Sequence, residues 1–161
     1  MRVLDTTALL HWPREKLLGG HCVNSQRSEL MRLSEQRMLL VESAQIEWHD
    51  VSTESAIAVA RKTGDLARLS DVDLEVLALT IDLQASLVTD DYRLQNICKS
   101  EGIQFESVQT SGAKEQWNWE MRCTGCRRTK PVAKDARRSK KDAVADCEVC
   151  GSLMQIKRAR R

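Results

Sequence analysis

Short apolar runs alternate with apolar positions at helical spacing along the first two thirds of the chain. The short runs predict strands at residues 2–4, 46–51, 85–89 and 104–108. The helical spacing predicts helices at about residues 6–12, 26–43, 53–63, 71–81 and 94–98. The glycine pair at 19–20 is typical of a loop. Strands that alternate with helices indicate an α/β sandwich with a mainly parallel sheet.

Residues with known capping preferences mark the predicted helix ends. A serine at an N-cap accepts a hydrogen bond from a free backbone N–H, and the predicted N-caps are Ser25, Ser52 and Ser70. Glycine adopts the left-handed backbone that closes many helices, which predicts helix ends at Gly64 and Gly102. Pro13 stops the first helix, because proline cannot continue the helical hydrogen bonding.

The chain changes character after residue 108. Residues 109–116 include Ser111-Gly112 and few apolar side chains, which predicts a linker between a domain at 1–108 and a smaller one at 117–161. Residues 1–112 carry 11 basic and 17 acidic side chains, whereas residues 113–161 carry 14 and 6. A basic segment on an acidic body indicates a nucleic-acid partner, although a solubilising tail would have the same composition.

The cellular compartment can be predicted from two kinds of segment that the sequence pattern does not show. No apolar run approaches the roughly 18 to 20 residues that span a bilayer, and no secretory pattern opens the chain. We therefore expect a cytoplasmic protein without membrane contact, in which the six cysteines stay reduced.

Four of these cysteines form two CxxC pairs, Cys123–Cys126 and Cys147–Cys150, with twenty residues between the pairs. Each pair folds as a tight knuckle, and two knuckles complete a tetrahedral shell of four thiolates around Zn²⁺. Because no coordination position stays open, the spacing predicts one structural zinc in a zinc ribbon. A module this small has too little core to fold on its own, so the metal supplies much of its stability.

Basic side chains lie between the knuckles and after them. The predicted RNA-binding residues are Arg127, Arg128, Lys130, Arg137, Arg138, Lys140, Lys141, Lys157 and Arg158. Trp117 and Trp119 come shortly before the first knuckle. If both lie on one strand, their side chains would point to the same face. We favour packing in the small core or between domains for this pair, with base stacking as the alternative.

Acidic residues collect where the pattern places strand ends and helix starts. They are Asp5, Glu29, Asp71, Asp73, Asp90 and Asp91. In a parallel sheet these positions gather at one edge, where α/β proteins build their sites. Converging carboxylates need a cation, and oxygen ligands suit Mg²⁺ or Mn²⁺, which support phosphoryl chemistry. No phosphate-binding loop or GxGxxG motif points to a nucleotide cofactor.

Three segments resemble the motifs of PIN-domain nucleases: RVLDTTALL at 2–10, LSDVDLEVLAL at 69–79 and LVTDDYRLQN at 87–96. Such a domain followed by a four-cysteine ribbon is similar to the archaeal endoribonuclease family of small-ribosomal-subunit maturation. The resemblance implies a Mg²⁺- or Mn²⁺-dependent endoribonuclease that cleaves precursor small-subunit rRNA at its 3′ end within the pre-ribosomal particle, leaving a 5′-phosphate and a 3′-hydroxyl.

The same resemblance assigns roles by position. The catalytic acids would be Asp5, Glu29, Asp73 and Asp91, with Glu35 as the alternative to Glu29. Metal ligands would be Asp5, Asp73, Asp91 and Asp90, with Asp71 a neighbour that can contribute. The hydroxyls of Thr89 and of either Thr6 or Thr7 would support the metal shell.

Three other functions remain open at this point. A toxin-type PIN ribonuclease would share the acids but usually lacks a ribbon. A non-catalytic RNA-binding assembly factor would keep the fold and not the chemistry. A transcription-type zinc-ribbon protein would leave Asp5 and the Thr89-Asp90-Asp91 segment without a role.

Overall fold

The computed structural model describes residues 1–109, 118–132 and 143–159. Residues 1–109, here called the body, contain five strands: β1 (Arg2–Leu4), β2 (Gly20–Val23), β3 (Glu47–His49), β4 (Ser86–Val88) and β5 (Phe105–Glu106). The body's helices are α1 (Thr6–His11), α2 (Arg14–Leu17), α3 (Ser25–Leu33), α4 (Glu35–Glu42), α5 (Glu54–Thr63), α6 (Asp71–Asp82) and α7 (Tyr92–Glu101). A 3₁₀ turn, Leu66–Arg68, follows α5.

The five strands of the body form one parallel sheet in the order β3-β2-β1-β4-β5. All of their carboxyl ends therefore lie at the same edge. β1 is the central strand, and it pairs with β2 on one side and β4 on the other. This arrangement confirms the predicted α/β class and places the residue after β1, Asp5, at the middle of the functional edge.

Successive strand residues point to opposite faces of the sheet and enter two separate cores. One core receives Val3, Val23 and Leu87 and contains residues of α5, α6 and α7. The other receives Leu4, Cys22 and Val88 and contains residues of α1, α3 and α4. The body is thus a three-layer α/β/α sandwich. Each fully buried Leu or Val in these cores contributes about 1.5–3 kcal/mol relative to exposure.

Two predicted elements differ from the structure. The predicted loop at 19–20 is wrong for Gly20, which opens β2; a Cβ there would overlap the side chain of Leu4. This close approach requires glycine. A residue that normally weakens a strand therefore begins strand β2 here. The predicted helix at 26–43 is two helices, because the extended backbone of Ser34 ends α3 and its hydroxyl accepts from the Arg37 N–H to cap α4.

The other predicted caps are close to those observed. Ser70 caps α6 in a capping box with Asp73, and α5 and α7 end at Gly64 and Gly102 in left-handed backbone. Ser25 is the first residue of α3 rather than its cap. α7 begins earlier than predicted, because the carboxylate of Asp91 caps it.

The remaining described residues, 118–132 and 143–159, are here called the ribbon. Its strands are β6 (Trp119–Cys123), β7 (Thr129–Pro131), β8 (Ala143–Asp146) and β9 (Leu153–Arg158). They form an antiparallel sheet in the order β7-β6-β9-β8. Met121, Met154 and Ile156 pack with Cys123 and Cys147 in a small core.

The ribbon packs against the body at the end of α5. Ala67 of the 3₁₀ turn belongs to the ribbon's core, and the guanidinium of Arg68 lies 5.5 Å from the ring centre of Trp119. A Cβ at Gly64 would lie 2.7 Å from Val132, so this position needs glycine for space as well as for its positive φ of 80°. Trp119 therefore has the packing role that we favoured, and Trp117 lies outside the described residues together with 110–116 of the predicted linker.

None of the helices in the described residues has the length and apolar character that a membrane crossing requires.

Candidate metal centres

Asp5 is the central acid of the body. It follows β1 directly and caps α1, and its side chain is only 6% exposed. Its two carboxylate oxygens accept from the Thr6 N–H and the Thr89 hydroxyl, each at 2.7 Å. Burial, together with the nearby charges of Asp73 and Asp91, raises the pKa of Asp5 to about 7, although these hydrogen bonds lower it. The sheet edge therefore holds an acid whose charge needs a positive partner.

One hydroxyl connects Asp5 to Asp91. Thr89 donates to Asp5 and accepts from the Asp91 N–H at 3.0 Å, so it fixes both acids relative to each other. Asp91 caps α7 by accepting from the Arg93 N–H at 2.8 Å, and the Arg93 guanidinium lies 3.8 Å from its other oxygen. Burial raises the pKa of Asp91, and hydrogen bonding and charge from Arg93 oppose that shift.

Asp73 is the third acid of this edge. It lies in the first turn of α6, where its carboxylate accepts from the Ser70 N–H at 2.7 Å. Its charge raises the pKa of both Asp5 and Asp91. The oxygens of the three acids are not all within 4.8 Å of one another, unlike the cysteine sulfurs described below. Carboxylate oxygens are the donors that hard divalent cations such as Mg²⁺ prefer, and such cations usually keep several bound waters.

Glu29 joins the centre through a hydroxyl. Thr6 donates to the Glu29 carboxylate at 2.6 Å, which links α3 to the residue beside Asp5. The alternative, Glu35, is exposed in the first turn of α4. The structure therefore places Glu29, and not Glu35, next to the acids of the sheet edge.

Gln26 was not predicted, although it organises this part of the edge. It is fully buried, its amide nitrogen donates to the Leu4 carbonyl, and its oxygen accepts from the Val23 N–H, both at 2.9 Å. It thereby joins β1, β2 and α3 where the acids meet. The sequence signal was weak, because a glutamine in a helical stretch is normally solvated.

Two other acids have different surroundings. The carboxylate of Asp90 accepts from the backbone N–H groups of Val108 and Gln109, at 2.8 and 3.0 Å. These bonds hold the chain after β5. Asp71 is exposed in the first turn of α6, where a negative charge favours the helix N-terminus.

The four ribbon cysteines form the second centre. Their sulfur atoms all lie within 4.8 Å of one another; Cys123 and Cys150 are 3.4 Å apart, and Cys126 and Cys147 are 3.7 Å apart. Tetrahedral Zn–S bonds of about 2.3 Å separate sulfur atoms by about 3.8 Å, so the cluster fits a tetrahedral metal. Hydrogen bonds from Ser152 lower the pKa of Cys150 to about 6, which favours the thiolate that a metal requires.

The sequence profile described as "PIN domain of ribonuclease" matches residues 3–83, half of the chain. The chain belongs to the PIN-domain family of ribonucleases. This confirms the resemblance drawn from the three motifs. The profile spans the positions of Asp5, Glu29 and Asp73, and the parallel sheet of the PIN body brings Asp91 to the same edge.

Curated relatives extend the comparison beyond the PIN body. Endoribonuclease Nob1 of Methanothermobacter thermautotrophicus is 40% identical over 103 residues, 62% of this chain and 56% of that protein. Endoribonuclease Nob1 of Methanocaldococcus jannaschii is 30% identical over 166 residues, 98% of this chain and 77% of that protein. Ribonuclease VapC1 of Thermoplasma acidophilum is 34% identical over 114 residues, 71% of this chain and 52% of that protein. The chain thus spans little more than half the length of two of these relatives.

The predicted RNA-binding residues fall into three groups. Arg127, Arg128, Lys157 and Arg158 are exposed on the ribbon, and a pocket of 230 Å³ is lined by Arg127 and Lys157 together with Arg122. Lys130 differs, because its ammonium lies 2.6 Å from the Glu148 carboxylate. Arg137, Arg138, Lys140 and Lys141 lie outside the described residues.

A fully buried acid, Asp65, lies where the PIN body meets the ribbon. It accepts from the Thr63 hydroxyl at 2.6 Å and from the Asn96 amide at 3.0 Å. Burial raises its pKa to about 6, and these hydrogen bonds and the Trp119 side chain oppose the shift. No local pattern marks this residue, because two of the side chains around it, Asn96 and Trp119, come from α7 and β6.

Asp65→Asn is expected to flatten the pH dependence of unfolding. The folded pKa of about 6 lies above the ordinary 3.8, so the folded state binds the extra proton. The contribution of Asp65 to the free energy of unfolding of the wild type should therefore be greatest below about pH 4 and fall by about 3 kcal/mol as pH rises through about 6. Urea unfolding across this range measures the difference, with the exposed Asp82→Asn as control. Equal slopes in wild type and Asp65→Asn would contradict the assignment.

Proposed function

We propose that this chain is a Mg²⁺- or Mn²⁺-dependent endoribonuclease that cleaves precursor small-subunit rRNA at its 3′ end, within the pre-ribosomal particle. The observation that carries the proposal is the buried Asp5 at the sheet edge. The Thr89 hydroxyl joins it to Asp91, and the charge of Asp73 is close enough to raise its pKa. The name Endoribonuclease Nob1, borne by relatives in two archaea, supports the activity. The rRNA target rests on the family resemblance of the combined PIN domain and ribbon.

Asp5, Asp73 and Asp91 would hold the cation. Their oxygen donors suit a hard divalent ion, and such an ion would offset the repulsion that raises the pKa of Asp5. Glu29 would complete the centre from α3, through the Thr6 hydroxyl. Asp90 stays a candidate ligand beside these three, and its carboxylate also holds the backbone N–H groups of Val108 and Gln109.

When bound, the cation would activate a water for in-line attack on the phosphodiester, which leaves a 5′-phosphate and a 3′-hydroxyl. The chain's own groups set the geometry for this. The Thr89 hydroxyl fixes the direction of the Asp5 carboxylate, the Arg93 N–H fixes that of Asp91, and the Ser70 N–H fixes that of Asp73. Because Asp5 is buried, bulk water has little access to its carboxylate. Each electrostatic contact of that carboxylate is therefore stronger than it would be in water.

The ribbon would hold one structural Zn²⁺ at its four cysteines and bind RNA through its basic residues. This division follows from charge, because the acidic body repels phosphates and the basic segment attracts them. A cleft of 360 Å³ is lined by Trp119 of the ribbon and, from the body, by residues that include Arg68, Asp91, Tyr92 and Arg93. A strand held on the ribbon would reach the acids through this cleft.

The alternatives are less well supported. The relative named Ribonuclease VapC1 matches 71% of this chain, whereas a relative named Endoribonuclease Nob1 matches 98%, which includes the ribbon. A toxin-type ribonuclease would leave the ribbon without a purpose. A non-catalytic assembly factor would not need a buried Asp5 whose charge is unfavourable in the folded protein.

The test is cleavage of a model RNA that spans the 3′ end of the small-subunit rRNA and its precursor extension, with Mn²⁺. We expect discrete products near the mature end that carry 5′-phosphates, and no products with a chelator. An RNA of the same composition with the junction scrambled is the matched control. Equal cleavage of both RNAs would retain the nuclease and overturn the rRNA target. No cleavage of either RNA, alone or within the pre-ribosomal particle, would overturn the activity.

A further inference from the structure

Two histidines and a glutamate form a cluster on the edge of the PIN sheet. His21 lies in β2, and Glu47 and His49 lie in the neighbouring edge strand β3. In the parallel register His21 pairs with Glu47, so all three side chains point to the same face of the sheet. One ligand atom from each lies within 4.8 Å of those from the other two.

The distances match the edges of a coordination shell. His21 Nδ1 is 3.1 Å from His49 Nε2 and 3.5 Å from a Glu47 carboxylate oxygen. Metal–nitrogen bonds of about 2.0–2.1 Å at tetrahedral angles separate two ligand atoms by about 3.3 Å. We propose that His21, His49 and Glu47 bind a divalent transition metal, with Zn²⁺ as the best fit to two imidazoles and a carboxylate.

The protonation states allow this without a change of charge. His21 Nδ1 and His49 Nε2 lie at hydrogen-bond distance, and between two neutral imidazoles one of these nitrogens carries the shared proton. When a metal binds, that proton moves to the other nitrogen of its own ring, and both facing lone pairs are free to coordinate. Glu47 is exposed and supplies the negative ligand, while water completes the shell.

This site is separate from both centres described above. The carboxylate centre consists of residues that follow β1 and β4 and of residues on α3 and α6, whereas the cluster lies on β2 and β3. A metal here would cross-link the edge strand to its neighbour and so stabilise the end of the sheet. The inference does not depend on the proposed nuclease activity.

The test is a Zn²⁺ titration of the full chain whose ribbon is already loaded, in excess Mg²⁺ to mask the carboxylate centre. We expect one further Zn²⁺ equivalent in wild type and a rise in Tm when it binds. His49→Gln and Glu47→Gln should weaken this step at least about 10-fold. The third histidine of the chain, His11, is exposed on α1, so His11→Gln is the matched control and should bind as wild type does.

Glu47 is exposed, so Glu47→Gln keeps the test valid even if His49→Gln perturbs folding. Wild type that takes up no Zn²⁺ beyond the ribbon's equivalent would overturn the proposal. Uptake that is unchanged in both Glu47→Gln and His49→Gln would also overturn it, because the metal would then lie elsewhere.

Discussion

Asp5→Asn is expected to lower the rate of Mn²⁺-dependent RNA cleavage at least about 100-fold, since even the partners that merely orient a metal ligand affect activity by about 10–100-fold. Asparagine keeps the size and the hydrogen-bond acceptor that caps α1, but it removes the charge that would hold the cation. Cleavage under single-turnover conditions measures the loss, and RNA binding should change little because the basic residues are untouched.

The same variant should be no less stable than wild type in the absence of divalent metal. Above about pH 7 the folded protein must bury the Asp5 charge beside Asp73 and Asp91, and the substitution relieves that repulsion. Thermal melting with and without Mn²⁺ separates the two effects. The control is Asp50→Asn, an exposed acid after β3. Cleavage by Asp5→Asn at the wild-type rate would place the catalytic centre elsewhere.

Loss of the ribbon metal is expected to have the second large effect. Structural zinc supplies on the order of 10 kcal/mol to such modules. The described ribbon has only a small core, centred on Met121, Met154 and Ile156. Cys126→Ser should therefore unfold β6–β9 and weaken RNA binding at least about 10-fold at low salt, while the sheet of the PIN body persists.

Amide resonances of β1, β4 and β6 would follow the two parts separately in this variant. Cys98→Ala, at a buried thiol of α7 outside the cluster, is the control and should retain zinc and RNA binding. Ribbon resonances that stay in place in Cys126→Ser would contradict a structural role for the metal. Loss of the body's resonances together with the ribbon's would show that the two parts fold as one unit.

The sequence predicted those features of the fold that local chemistry dictates. Asp5 could be found because it directly follows a buried strand, at the edge where α/β proteins build their sites. Ser70, Gly64 and Gly102 could be found because capping depends on a few adjacent residues. The four cysteines could be found because their spacing alone builds the shell. Each of these signals is contained within a short window of sequence.

The features that the sequence did not reveal depend on partners far along the chain. Gly20 was taken for a loop because its need to be small comes from Leu4, sixteen residues away. Gln26 and Asp65 have the polar side chains typical of surface residues. They are buried because Gln26 bonds to β1 and Asp65 to α7 in the folded chain. Glu47 and His49 stood at alternate positions of a predicted strand, but His21 lay in the strand that was missed.

All three carboxylates of the proposed cation site stand at helix N-termini: Asp5 caps α1, Asp91 caps α7, and Asp73 completes the capping box of α6. Helix capping alone therefore favours polar hydrogen-bond acceptors at these three positions, whether or not the site is catalytic. A descendant that lost its activity would drift at Asp5 and Asp91 toward serine, threonine or asparagine, which also cap helices, rather than toward arbitrary residues. In such a lineage, the first substitution that abolishes catalysis but leaves the fold intact would remove the negative charge of the side chain and keep its hydrogen-bond acceptor.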